Sequence, residues 1–139
     1  MGKRFLFILG VFSLVFTSFV YGAEMNLKEG LWEITVQVSS PDMPMQMPAQ
    51  KFTQCITKDN SIPEAEMEKN KDCKIEQKNI SGDTVSWKLV CQDGEEKIVS
   101  EGKVTYKGDT FVGESVTKTS DGMEMRQKMT GKWIGKCSN

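Results

Sequence analysis

Methionine is the side chain whose spacing in this sequence most suggests chemistry. In an extended chain alternate side chains point to the same side, so methionines two residues apart would present their thioethers together. Clustered thioethers are soft ligands suited to Cu(I). Two such sets occur, one in the segment MPMQMP and one near the end of the chain: Met43, Met45 and Met47, and Met123, Met125 and Met129.

Methionine is also a flexible apolar side chain that fills gaps in a core. Five of the seven phenylalanines lie in the first 22 residues, which leaves only Phe52 and Phe111 for the rest of the chain. The proline-pinned MPMQMP segment would equally form an apolar flap over one end of a sheet. We therefore favour core or flap for the methionines and keep copper as the alternative.

The sequence contains no recognisable set of catalytic residues. The sequence has no histidine, which removes the usual general base near neutral pH and the commonest transition-metal ligand. Lysine and carboxylate side chains are abundant, but no spacing singles out a pair. A small hydrolase would need a buried carboxylate or lysine in a pocket, which periodicity does not predict. We expect no enzyme activity and no cofactor.

The first 22 residues have the pattern of a signal peptide. Lys3 and Arg4 precede an apolar run that ends in small residues at Gly22 and Ala23. We expect residues 1–22 to be removed and residues 23–139 to form one domain with no membrane span. Of 18 Lys and Arg, 16 then remain against 19 Asp and Glu, a net charge of −3. This balance argues against nucleic acid and anionic membranes as partners.

Four cysteines lie in the exported part, and an even count in a small exported domain indicates two disulfides. A four-thiolate metal site is disfavoured, because no CxxC pair is present. Cys73 and Cys91 stand at the outer ends of two alternating runs folded about Ser81-Gly82-Asp83, as in a hairpin closed by its own disulfide. The second bridge would then join Cys55 to Cys137.

The alternation of apolar and polar residues predicts about seven strands and one helix. Leu31 to Val38 alternates clearly, with Trp32 on its apolar face. A short helix is predicted from Ser61 to about Asn70, where an N-cap is followed by an early proline. The other predicted strands are 51–56, the two arms of the 73–91 hairpin, 96–107, 110–119 and 123–134.

Register within the hairpins can also be predicted. A two-residue Gly108-Asp109 loop sets Tyr106 opposite Phe111. The same loop in the first hairpin sets Ile80 opposite Val85, but it places Cys73 and Cys91 on opposite faces. A one-residue slip exchanges the faces of a strand. We therefore predict a β-bulge between that turn and the disulfide.

The second disulfide constrains the topology. Cys55 and Cys137 finish at the same end of the sheet only if residues 57–72 cross over, so that the second and third strands run parallel. The first and last strands are then antiparallel. We predict a mainly all-β fold: a strongly curved, mostly antiparallel sheet or partly closed barrel, with the helix packed at one end or across the open side. A two-sheet sandwich is the alternative.

The order of motifs resembles a secreted bacterial family of unknown function, numbered 3617. The motifs are EGLWEITV, QCIT, CKIEQ, VSWKLVC, GKVTYKGDTFVGE and MTGKWIGKC, and they cover the chain that follows the signal peptide. The resemblance implies an exported, single-domain, cysteine-containing envelope protein. It implies no catalytic or binding residues.

We expect a monomeric, periplasmic or secreted binding module without catalytic activity. It would take an apolar small ligand or an envelope protein in the concavity of its sheet, beneath the methionine flap. An enclosed cavity would favour the small ligand, and a shallow exposed patch would favour the protein. The residues expected to contact the ligand are Trp32, Met43, Met45, Met47 and Trp87.

Overall fold

The described residues form one antiparallel sheet of seven strands. A computed structural model describes residues 24–44, 47–63 and 72–138. The order across the sheet is β2-β1-β7-β6-β5-β4-β3, and all six pairings are antiparallel. The strands are β1 Gly30–Ser39, β2 Gln50–Ile56, β3 Cys73–Ser81, β4 Thr84–Asp93, β5 Glu96–Tyr106, β6 Thr110–Thr119 and β7 Glu124–Gly135. The predicted strands are confirmed, with ends that differ by about one residue.

The tight turns form where glycine supplies a positive φ. Gly82 has φ 59° between β3 and β4, and Gly108 has φ 80° between β5 and β6. As predicted, Tyr106 lies opposite Phe111, and Ile80 lies opposite Val85.

The predicted bulge is confirmed in β3. Cys73 lies opposite Cys91 and Ile75 opposite Leu89, and the register then shifts between Ile75 and Gln77. The extra residue shifts the β3–β4 register by one. The Cys73–Cys91 disulfide and the Gly82 turn can therefore both form within the same strand pair.

Both predicted disulfides form. Cys73 and Cys91 join the outer ends of β3 and β4 with a Cα–Cα distance of 4.0 Å. Cys55 of β2 joins Cys137, which follows β7, with a Cα–Cα distance of 5.5 Å. Because β2 and β7 flank β1 on opposite sides, this bridge crosses the strand between them. Two disulfides are consistent with an extracytoplasmic protein.

The sheet is strongly curved, and its concave face holds the core. Trp32 of β1 and Tyr106 of β5 are separated by two intervening strands, which corresponds to roughly 14 Å in a flat sheet. Their ring centroids are nevertheless only 6.0 Å apart, and Phe111 lies 5.4 Å from Trp32. The three rings are almost completely buried, so the curvature folds one end of the sheet around them.

Two segments outside the strands plug this end of the concave face. Leu27 precedes β1 and is buried. An isolated β-bridge joins it to Gly108, in the turn between β5 and β6. Ile62 follows β2 and is 2% exposed. The hydroxyl of Tyr106 donates a 2.6 Å hydrogen bond to the carbonyl of Ser61. We call this packed half of the concave face the plugged end.

The predicted curved, antiparallel sheet is confirmed, and its first and last strands pair antiparallel. The other two forms that the sequence left open, a partly closed barrel and a two-sheet sandwich, are not found. β2 and β3 run in the same direction, as predicted, but they are the two edges of the sheet and do not pair, so no closed barrel forms. The described residues after β2 turn into the core at Ser61 and Ile62, which leads the chain away from an edge-to-edge pairing. All seven strands belong to one sheet, which excludes the sandwich.

The predicted helix is not seen in the described residues. Ser61 to Pro63 are not helical, and the remainder of the prediction falls on residues 64–71, outside the described residues. The predicted signal peptide likewise lies outside them. The part of the chain that the structure describes holds no helix of the length and apolarity that a membrane span requires.

Candidate functional site

The half of the concave face that the plug leaves open forms a groove of about 640 Å³, which reaches the plugged end at Pro63. We call it the concave-face groove. Its apolar wall consists of Val36 and Val38 from β1, Phe52 from β2 and Met129 from β7. Met129 is buried at its base, whereas the Phe52 side chain is 44% exposed at its rim.

Three glutamine side chains, together with Thr53, supply the polar part of the groove. Gln50 and Gln54 come from β2, and Gln127 comes from β7. All three occupy the apolar parity of their strands, since Trp32 lies opposite Gln54 and Val38 opposite Gln127. An apolar cavity with a few amide groups has the composition of a small-molecule site.

The groove continues into a smaller cavity of about 170 Å³. Gln127 lines both cavities, so they adjoin on the concave face. The walls of the smaller cavity combine Leu89, Ile98 and Met125 with the hydroxyl-bearing Ser100 and Thr117. The open half of the face is therefore apolar with neutral polar groups.

Both cavities are free of charged side chains among the described residues that line them, whereas the opposite face of the sheet carries ion pairs. On the convex face, Lys103 of β5 pairs with Glu114 of β6 at 3.1 Å, and Lys51 of β2 pairs with Glu33 of β1 at 3.7 Å. These pairs are exposed and contribute little to stability, but they show that the convex face is exposed to solvent.

A depression of about 500 Å³ on the convex face is a weaker candidate. Its lining includes five charged residues, namely Glu101, Lys103, Glu114, Arg126 and Lys128. Lys103 and Glu114 neutralise one another, and Arg126 is paired with Glu124 at 2.8 Å. Because its exposed charges are of both signs, this surface has no preference for an anionic or a cationic ligand.

The tryptophans expected to contact a ligand lie elsewhere. Trp32 is completely buried at the plugged end, where its indole nitrogen donates to the Lys28 carbonyl at 3.0 Å. Trp87 is 3% exposed, and its ring lies over Gly102. Neither residue lines the concave-face groove. Both are core residues in this structure.

The methionines of the two sets are dispersed. Met43 and Met47 are 49% and 41% exposed, and neither lines the groove, while Met45 lies outside the described residues. In the second set, Met129 is in the core and Met125 lines the smaller cavity, whereas Met123 is 53% exposed. Met125 and Met129 share a face, as the alternation predicted.

The first methionine set is nevertheless tied to the beginning of β7. The Met43 amide donates to the Ser40 carbonyl at 3.2 Å, and the Ser40 hydroxyl bonds the Glu124 carbonyl at 2.9 Å. Glu124 lies between Met123 and Met125. The backbone therefore brings the start of one set beside the start of the other.

The sequence analysis did not identify the glutamines of the groove, although their positions in the alternating pattern are a weak indication of a site. Gln54 lies between Phe52 and Ile56 on the apolar parity of β2, and Gln127 lies between Met125 and Met129 on that of β7. A polar amide at a position reserved for the core marks either a buried hydrogen bond or a ligand contact. Periodicity alone does not separate these two cases.

Comparison with known proteins gives one match. Residues 27–137 match the family described as protein of unknown function, DUF3617. No curated protein and no solved structure matches the sequence.

Proposed function

The chain belongs to the DUF3617 family, whose description names no function, and from its geometry we propose a non-catalytic module that binds an apolar small molecule in the concave-face groove. One observation carries the proposal: a groove of about 640 Å³ on the inner face of the sheet has apolar walls, three neutral amides and no charged residue among its described lining residues. This volume is in the range of small-molecule sites.

A small molecule is favoured over a protein partner by the depth of the groove. Its base is formed by Gln54 and Met129, which are 8% and 2% exposed. Protein docking sites are broad exposed apolar patches. The large exposed apolar side chains of the described residues are instead distributed over separate parts of the sheet, such as Ile80, Val112 and Ile134.

The absence of reactive groups from the groove supports binding without catalysis. Its described lining residues include no carboxylate, lysine or free thiol, and Cys55 is held in its disulfide. The proposal places the protein in the periplasm or outside the cell as a monomer, because the disulfides suit an oxidising compartment. There it would carry or sequester a poorly soluble molecule.

Filling the groove tests this proposal. In Val38→Trp the indole would occupy the groove, whereas Val112→Trp makes the same change at an exposed position of the convex face. We expect the disulfide-intact protein, expressed from the full-length chain, to bind the apolar fluorophore N-phenyl-1-naphthylamine. Val38→Trp should lose at least about tenfold in affinity, which is the effect of one lost apolar contact site, and Val112→Trp should not. Equal binding by all three proteins would exclude the groove.

A second candidate function is Cu(I) binding, which the link between Ser40 and Glu124 favours. This link places Met43 at the beginning of β7, beside Met123 and Met125. All three are at least partly exposed, so they are accessible to an ion without opening the core. Thioether ligands from both sets would suit Cu(I).

A Cu(I) titration against a competing chelator distinguishes this candidate. The triple variant Met43→Leu, Met45→Leu and Met47→Leu keeps the apolar volume and removes the sulfur. One-to-one binding that this variant loses would support copper. If neither protein competes with the chelator, the methionines have only apolar roles.

A further inference from the structure

Gln54 carries a buried hydrogen-bond donor without a partner, and it lines the concave-face groove. Its side chain is 8% exposed, and its amide nitrogen Nε2 is shielded from solvent with no hydrogen-bond acceptor. The large majority of buried polar side-chain atoms in proteins have a hydrogen-bond partner, so each exception needs a reason. The position of Gln54 in the wall of the groove provides one.

The amide group of Gln54 can turn towards the groove without moving the backbone. The terminal torsion of glutamine is broad, so rotation about it exchanges the positions of the nitrogen and the oxygen at small cost. An acceptor atom that enters the groove would therefore meet an N–H group that has no competing partner. A hydrogen bond to this donor replaces at most a bond to water, so it is worth up to about tenfold in affinity.

Two further features specify the acceptor. No cationic side chain occurs among the described residues that line the groove, so a carboxylate would lose its hydration without gaining an ion pair. No anionic side chain occurs there either, which disfavours an amine in the same way. A neutral oxygen is the acceptor that this wall accommodates.

Resting on the proposed function, we infer that the groove selects acyl compounds with a neutral carbonyl, esters or amides, and that Gln54 reads that carbonyl. The acyl chain lies along Val36, Val38 and Met129, and the carbonyl oxygen accepts from the Gln54 amide. Gln54 is thus the specificity residue of an otherwise apolar groove.

Displacement of N-phenyl-1-naphthylamine by compounds of matched chain length tests the inference. The disulfide-intact protein, expressed from the full-length chain, is titrated with methyl decanoate, N-methyldecanamide, undecane, decanoate and decylammonium. We expect the ester and the amide to displace the fluorophore at concentrations about tenfold lower than the other three compounds. In Gln54→Leu this preference should vanish while undecane still binds.

Gln37→Leu is the matched control, because Gln37 is exposed on the convex parity of β1. It should keep the preference for the ester and the amide. Equal binding of undecane and methyl decanoate by the wild type would overturn the inference and leave the proposed function standing. A preference that survives in Gln54→Leu would do the same. If the fluorophore itself does not bind, the proposed function and the inference both fail.

Discussion

On the concave face, large aromatic side chains pack over glycine residues of the neighbouring strands. The ring of Trp87 lies over Gly102, and that of Phe111 lies over Gly131, each from the neighbouring strand. Glycine is required here by the close approach of an aromatic ring and not by its backbone angles. These pairs let a single sheet curve around its aromatic core with few voids.

We predict that Gly102→Ala destabilises the protein by about 1–3 kcal/mol, because the new methyl group would overlap the Trp87 ring and lie 2.8 Å from Ser115 Cβ. Gly135→Ala is the control, since no atom would lie within 4 Å of its methyl group. It should change the free energy of unfolding by less than about 0.5 kcal/mol. Urea unfolding measures both. Equal stability of the two variants would mean that the Trp87 ring is not held over Gly102.

Burial of Tyr106 should make the stability of the protein depend on pH in the alkaline range. Burial raises the pKa of its phenol well above the usual value, because the charged form would lose its hydration. The contribution of the protonated phenol is complete below about pH 10, the unfolded pKa, and is lost as the pH rises above it. We expect the free energy of unfolding to fall above about pH 10 by up to roughly 1.4 kcal/mol per pH unit from this group.

Tyr106→Phe isolates this effect. At neutral pH it should cost about 1 kcal/mol, because the hydrogen bond to the Ser61 carbonyl is lost. Above about pH 10 its stability should fall less steeply than that of the wild type, while the titration of the lysines affects both proteins alike. Parallel loss of stability in the two proteins would show that the phenol is not buried in its protonated form.

At the scale of elements, the hairpins could be predicted from the sequence, whereas the segments outside the strands that pack against the concave face could not. Alternation gave the strands, and the conflict between the Cys73–Cys91 pair and the Gly82 turn required the bulge that β3 contains. The plug was not predicted, because Leu27 and Ile62 lie in segments without periodicity. Which end of the concave face is filled and which stays open depends on these two residues.

The two disulfides should differ in their contribution to stability. Cys55 and Cys137 are 82 residues apart, whereas Cys73 and Cys91 are 18 residues apart and join a hairpin that is already local. Chain entropy in the unfolded state predicts about 1 kcal/mol more stabilisation from the longer loop. We expect Cys55→Ala/Cys137→Ala to unfold at lower urea concentration than Cys73→Ala/Cys91→Ala. The reverse order would mean that the Cys73–Cys91 disulfide, which holds the edge strand β3, stabilises the protein more than the Cys55–Cys137 disulfide does.

For the whole molecule, the sequence predicts a curved antiparallel sheet but not the position of its groove. The reasoning on Cys55 and Cys137 correctly made β2 and β3 parallel and brought β1 towards β7. It could not show that Gln54 stays unpaired, because a hydrogen bond depends on atoms from other strands. The site therefore emerges only when the curvature of the complete sheet is known.

The pairing of β1 with β7 has a consequence for how the protein is made. Trp32 packs against Tyr106 and Phe111, and β1 pairs along its length with the last strand of the chain. A ribosome releases β7 after the other six described strands, so Trp32 has no complete core to enter until β7 has been made. The core around Trp32 is therefore completed only when all seven strands are available, and pairings between such distant parts of the chain make folding slow.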